Sequence, residues 1–220
     1  MVETQSISIL EMATKGGWIM IVLLLLSIIA LYIFGKKWWI ISSASKIDRN
    51  FMKDIKDYLS DGKVKSAKAL CGKFDSPVAR MIETGIARIG KPLSDVQTAV
   101  DNVGNAEIAR LESGLPYLAT IAGGAPMLGF LGTVTGMIKA FFNMSNAGNN
   151  IDISLLSAGI YEAMITTVGG LIVGIVAYFA YNFLTAKVSN VVFSMENATI
   201  EFMDMLSENP DNQVDSTEIQ

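Results

Sequence analysis

Apolar positions along this chain form either unbroken runs or helical repeats, and each pattern predicts a different kind of element. From Trp18 to Phe34 the segment WIMIVLLLLSIIALYIF carries no charge, and at about 1.5 Å per residue it nearly matches a hydrocarbon core of about 30 Å. A second uncharged run extends from Ser113 to Ile138, and a third, from Ile153 to Ala186, is broken only by Glu162. Three membrane-spanning helices are expected, at 17–35, 113–142 and 153–186, with the termini on opposite sides. The first run is read as a retained span and not a signal peptide. Glu3 and Glu11 replace a basic leader, and GKKWW follows where a small-residue cleavage site would stand.

Between the first two spans the pattern changes to helical spacing. Ile47, Phe51, Ile55 and Leu59 recur on one face, then Val64, Ala67 and Leu70, then Val78, Ile82, Ile86 and Ile89, which predicts four short helices in a small domain at 36–112. Asp61-Gly62 marks a turn, Ser76-Pro77 reads as an N-cap with proline at the first helical position, and Gly90-Lys91-Pro92 separates two helices. After the third span, Val188, Val191, Met195, Ala198, Phe202 and Met205 continue an apolar stripe, so a helical extension is expected at 187–208, ended by Asn209-Pro210. The polar tail at 209–220 is expected to be disordered.

Charge orients this arrangement. Of the seventeen Lys and Arg residues, fourteen lie between Gly35 and Glu112, so the positive-inside rule makes that domain cytoplasmic. The segment 1–16 and the loop 143–152 are then outside and the tail inside. Its run of acids, Glu196 to Glu218, does not oppose this, because acids barely affect orientation. Trp18 at one end of the first span and Trp38 with Trp39 at the other read as interfacial anchors or as bundle packing.

Composition excludes several functions. The chain of 220 residues is 51% apolar and 17% charged, with a net charge of −4, which argues against a nucleic-acid binder. It contains no histidine and one cysteine, Cys71, which leaves no basis for a zinc site, a disulfide framework or His-based acid/base catalysis. No cofactor, no metal and no enzymatic activity are expected, and Cys71 is read as a buried or half-buried thiol.

The second and third spans differ from the first in their small residues. Ala122, Ala125, Gly129, Thr133, Gly136 and Ala140 recur at three and four on one, and Gly159, Ala163, Thr167, Gly170, Gly174 and Ala177 on the other. Such stripes let helix backbones approach closely, and Gly129, Gly132, Gly136, Gly159, Ala163, Gly170 and Gly174 are read as packing positions. The stripes either join the two spans within one subunit or also make oligomer contacts around a lumen. Polar residues on or beside them, Thr133, Thr135, Thr166, Thr167 and Glu162, favour a lumen, because facing lipid would be costly for them. Glu162 lies about 14 Å into its helix, within membrane depth. A hairpin centred at Asn146 to Gly148 sets positions summing to about 295 at one depth, which levels Glu162 with Thr133. Lys139 would then lie some 9 Å away along the axis, making an ion pair with Glu162 a strained alternative. Thr133, Glu162, Thr166 and Thr167 are therefore expected to line a polar path for a small cation, most simply a proton.

At this point a resemblance emerges. Gly129 to Phe141 (GFLGTVTGMIKAF) and Leu155 to Asn182 (LLSAGIYEAMITTVGGLIVGIVAYFAYN) resemble the MotA/TolQ/ExbB proton channel family. The Gly-Thr-Val, Gly-Ile-x-Glu-Ala and Thr-x-x-Gly-Leu elements occur in the family's order and spacing, and three spans fit the ExbB and TolQ branches better than the four-span MotA type. The resemblance implies an all-α membrane protein assembling as a homopentameric ring, whose second and third helices enclose an ExbD-like or TolR-like single-span partner bearing an essential aspartate. Thr133 and Thr167 would face that aspartate, with Glu162 on the same wall. Proton flow would move the partner and act on a TonB-like or TolA-like protein, in the inner membrane of a Gram-negative bacterium. An ExbB-type role in TonB-dependent transport is preferred over a TolQ-type motor or a non-conducting scaffold. Two positions depart from the family pattern: Gly174 to Ala177 lacks a proline common there, and Lys139 places positive charge near the outer pore mouth.

Overall fold

A computed structural model describes residues 16–45, 50–146 and 153–208, and among these every regular element is helical. Helix α1 spans Gly17–Ala44, α2 Phe51–Ser60, α3 Val64–Cys71, α4 Pro77–Ile86, α5 Leu93–Glu112, α6 Leu115–Asn146 and α7 Ile153–Glu208. Three of these segments are long and apolar enough to cross a membrane: α1, a window reaching into α6, and α7. The chain is a multi-pass membrane protein. The outer segment expected at 1–16 (apart from Gly16), most of the loop at 143–152 and the tail at 209–220 lie outside the described residues.

The chain divides into two compact units, one comprising Met1–Lys36 with Gly114–Phe183, the other Lys37–Ser113 with Leu184–Gln220. Helices α1 and α7 each contribute to both. In the first unit the uninterrupted Leu-Ile-Val run of α1 leaves Ile21, Leu24, Leu25, Ile28 and Leu31 exposed, as expected of surface that lipid covers. Helices α6 and α7 bury a narrower stripe in which Ala125, Ala140, Ala163 and Ala177 are nearly inaccessible.

The second unit is a helical bundle with a core of large side chains. Phe51, Ile55 and Leu59 from α2, Val78, Met81, Ile82 and Ile86 from α4, Val96 and Val100 from α5, and Val191, Met195 and Phe202 from α7 are buried. Local signals delimit its helices: Gly62 turns the chain at φ +68°, and the Ser76 hydroxyl accepts the Ala79 amide at 3.2 Å with Pro77 at the first helical position. Gly85 admits Phe202, whose Cζ would be 2.8 Å from a Cβ at that position. Arg80 of α4 donates to both carboxylate oxygens of Glu107 on α5, at 2.7 Å each, and also pairs with Asp75. Hydrogen bonding to Glu107 raises the guanidinium's affinity for its proton further, against the cost of burial.

Lys37 is 8% exposed. Its ammonium donates to the carbonyl oxygens of Arg110 and Leu111, at 3.0 and 3.4 Å, and to Ser113 Oγ at 2.9 Å. It thus satisfies the last carbonyls of α5, where a cation also meets the negative end of the helix dipole. Lys187 lies over the Trp38 ring at 4.4 Å and donates to Ser42 Oγ at 3.2 Å, while Trp39 is 79% exposed and Trp18 64%.

Candidate functional site: the seam between α6 and α7

The seam forms because the two helices meet on glycine and alanine. A Cβ at Gly136 would lie 2.9 Å from Ala163 Cβ, one at Gly129 3.1 Å from Gly170 Cα, and one at Gly170 2.6 Å from the Ala125 carbonyl oxygen. Gly159 faces Ala140, and Gly174 faces Pro126, whose Cδ would be 2.6 Å from the added atom. Pro126 has no amide proton to give to the Ala122 carbonyl, and that oxygen lies 3.1 Å from the same Gly174 position. All seven positions read as packing residues, Gly129, Gly132, Gly136, Gly159, Ala163, Gly170 and Gly174, face this intrachain seam.

Within this apolar contact the Thr133 and Thr167 hydroxyls touch one another. Thr133 Oγ1 also lies 3.3 Å from the Gly129 carbonyl and 3.5 Å from that of Ala163, and Thr167 Oγ1 lies 3.2 and 3.4 Å from the same two oxygens. With two hydroxyl protons and two carbonyls shared across the helices, one hydroxyl donates to its partner while the partner donates to a carbonyl, and the direction is reversible. Such a pair can reverse its direction of donation at little cost in hydrogen bonds.

Three expectations are corrected by this geometry. Facing positions sum to 299 or 300, as in Gly136 with Ala163 and Thr133 with Thr167, and not to 295. The cause is the length of α6, which stays helical to Asn146 before α7 starts at Ile153, so the midpoint between the two helix ends lies later than a centre at Asn146 to Gly148. Thr133 is consequently level with Thr167 and not with Glu162. The Lys139–Glu162 ion pair, expected to be strained, is formed: Lys139 Nζ is 3.2 Å from Glu162 Oε2, because the register shift and the reach of a lysine side chain close the axial gap. Thr166, expected on the polar path, is 1% exposed; it lies against Gly132 and donates to the Ala163 carbonyl at 2.8 Å, so it packs the seam. Thr135 bonds to its own helix, through the Leu131 and Gly132 carbonyls.

Glu162 has a second neighbour that periodicity does not reveal. Its Oε1 lies 2.7 Å from where a Cβ of Gly17 would stand, at the start of α1, where Gly17 has φ +66°. Among the described residues no cluster of metal-ligating side chains occurs.

A sequence profile of the MotA/TolQ/ExbB proton channel family matches residues 73–197, which include α4, α5, α6 and most of α7. The chain belongs to the MotA/TolQ/ExbB proton channel family. It is 30% identical over 185 residues to a Synechocystis protein named as ExbB-like biopolymer transport protein 1, covering 83% of this chain and 73% of that one. An ExbB homologue of Methanothermobacter thermautotrophicus is 28% identical over 193 residues, 86% of this chain and 67% of its own. The TolQ protein of the Haemophilus influenzae Tol-Pal system is 38% identical over 102 residues, 46% of this chain and 44% of TolQ. MotA/TolQ/ExbB membership, with relatives named ExbB and TolQ, makes this chain an energizer of the MotA/TolQ/ExbB type.

Proposed function

We propose that this chain is an ExbB-type stator subunit of an inner-membrane motor driven by the proton-motive force, and that the Thr133–Thr167 hydroxyl pair forms part of its proton path. The observation that carries this reading is the contact of two hydroxyls across a seam otherwise built from glycine and alanine. One elementary charge crossing 100 mV releases about 2.3 kcal/mol, and a reversible hydroxyl pair suits a proton passed to a carboxylate on a partner helix. That partner is an ExbD-like single-span subunit enclosed by a homopentamer of this chain, and movement of the partner acts on a TonB-like protein to energise transport across an outer membrane. The lysine-rich domain between the first two spans is then cytoplasmic, with the N-terminus periplasmic. The match to TolQ supports a second reading, a subunit of a Tol-Pal envelope motor with TolR-like and TolA-like partners.

Thr133→Val tests the path, since it removes a hydroxyl at nearly constant volume. Assembly should be preserved while proton-driven activity falls by about tenfold or more, read as growth on a ferric chelate and as acidification reported by a cytoplasmic pH sensor. Full activity would remove the hydroxyl pair from the path. Native mass spectrometry of the extracted complex, with its co-purifying chains sequenced, separates the ExbB-type from the TolQ-type reading; a pure homo-oligomer would support a scaffold instead.

A further inference from the structure

We infer that Glu162 and Lys139 are mutual counter-ions at the outer end of the α6–α7 seam, and that Glu162 is a positioning residue on which no transported proton rests. The inference deepens the stator reading and rests on it, since it assigns the carboxylate a role distinct from that of the hydroxyl pair.

The argument starts from isolation. Lys139 is the only Asp, Glu, Lys or Arg between Leu115 and Asn146, and Glu162 the only one between Ile153 and Ala186. Two opposite charges, each alone in a long apolar helix, contact one another at 3.2 Å. Neither is covered enough to be sealed from water, their side chains being 63% and 28% exposed, yet exposed side chains close to them along the two helices, Ile138, Phe142 and Met164, are apolar. Protonating Glu162 would leave the Lys139 ammonium without its counter-ion on an apolar span, where an uncompensated charge is costly.

The carboxylate has a neighbour on each side. Lys139 takes Oε2, and Oε1 lies beside Gly17, 2.7 Å from where a Cβ of that residue would stand. Its distance from the hydroxyls follows from its own helix: Glu162 is five residues along α7 from Thr167, about 7.5 Å, beyond direct proton transfer. The pair therefore neutralises the positive charge of Lys139, which would otherwise repel an entering cation, and leaves the hydroxyl pair to carry the proton.

The prediction concerns four variants in the full complex, each read as proton-driven growth and cytoplasmic acidification per unit of assembled complex. Glu162→Gln alone should lose about tenfold or more, because Lys139 is left uncompensated. Lys139→Met alone should also be impaired. The neutral double variant Lys139→Met/Glu162→Gln and the exchanged variant Lys139→Glu/Glu162→Lys should each recover to within about twofold of the unmodified chain. A double variant as inactive as Glu162→Gln, or one that fails to accumulate, overturns the inference, since the carboxylate is then needed for itself. A fully active Glu162→Gln overturns it equally. If a single variant does not assemble while the double does and is active, the counter-ion role is upheld. Thr133→Val run in parallel keeps the two readings apart: an active Thr133→Val defeats the hydroxyl path whatever the charge variants do.

Discussion

The two units solve the same problem, holding helices together, with opposite materials. Along α7 the buried residues of the first unit are mostly small, Gly159, Ala163, Gly170, Gly174 and Ala177 beside Ile165 and Thr166; from Leu184 onward they are mostly large, Leu184, Val188, Val191, Met195 and Phe202 among them. Lipid tails are as apolar as leucine, so burying a large apolar side chain between spans gains little over leaving it in lipid, and association depends on close backbone approach. In water the same side chain is driven inward by roughly 25 cal/mol per Å² of surface removed from solvent. One continuous helix thus changes its packing alphabet along its length, and the polar hydroxyl pair lies in the part packed through glycine and alanine.

Substitutions that exchange the two alphabets break this comparison most severely. Gly170→Leu should have the largest effect, because a Cβ there already lies 2.8 Å from Gly129 Cα and 2.6 Å from a carbonyl oxygen, atoms that cannot yield without separating the helices. Loss of the assembled protein from the membrane, seen on native gels, is expected; an intact complex would mean that the seam opens easily. The converse change in the second unit, Phe202→Ala, removes a wholly buried ring and should cost about 3–5 kcal/mol. It should appear as a lower unfolding temperature and faster proteolysis within 50–112, with the α6–α7 seam unaffected.

Smaller effects sharpen the contrast within the second unit. Glu107→Gln removes the less exposed of the two carboxylates that pair with Arg80, 12% exposed in the fold, and leaves only the exposed Asp75; it should cost about 1–3 kcal/mol in the same unfolding assay. Cys71 is the mildest probe. It is free and buried, and burial, with the nearby Glu83 charge, pushes its thiol pKa up to about 11 from 9.0. Maleimide labelling should be slow in the folded protein at pH 8 and fast after denaturation. As pH rises from 9 toward 11 the unfolded chain releases this proton first, so the stability contributed by the neutral thiol declines over that window. Rapid labelling of the folded protein would show that the α3 face opens.

Much of this was legible without coordinates, and the reason is periodicity. Uncharged runs, small-residue stripes at three and four, and cap residues such as Ser76-Pro77 each depend on neighbours one turn away. The hydroxyls of Thr133 and Thr167 were recognisable as seam residues because they stand on those stripes. Thr166 was misjudged because it adjoins a stripe in sequence while its side chain turns into the seam, against Gly132. Lys37 could be read as one of many basic residues near a membrane exit; its place at the end of α5 depends on a segment more than seventy residues away.

By itself the sequence determined three apolar spans, a lysine-rich helical segment, the packing stripes and membership of the proton channel family, since all of these are properties of local pattern. Only the tertiary structure decided the register of α6 against α7, and with it whether Thr133 meets Thr167 or Glu162 and whether Lys139 finds its counter-ion. Periodicity specifies which face of a helix is buried but not how far one helix slides along another. That slide is set by where α6 stops and α7 begins, and a difference of four in the summed positions is enough to change every polar partner in the seam.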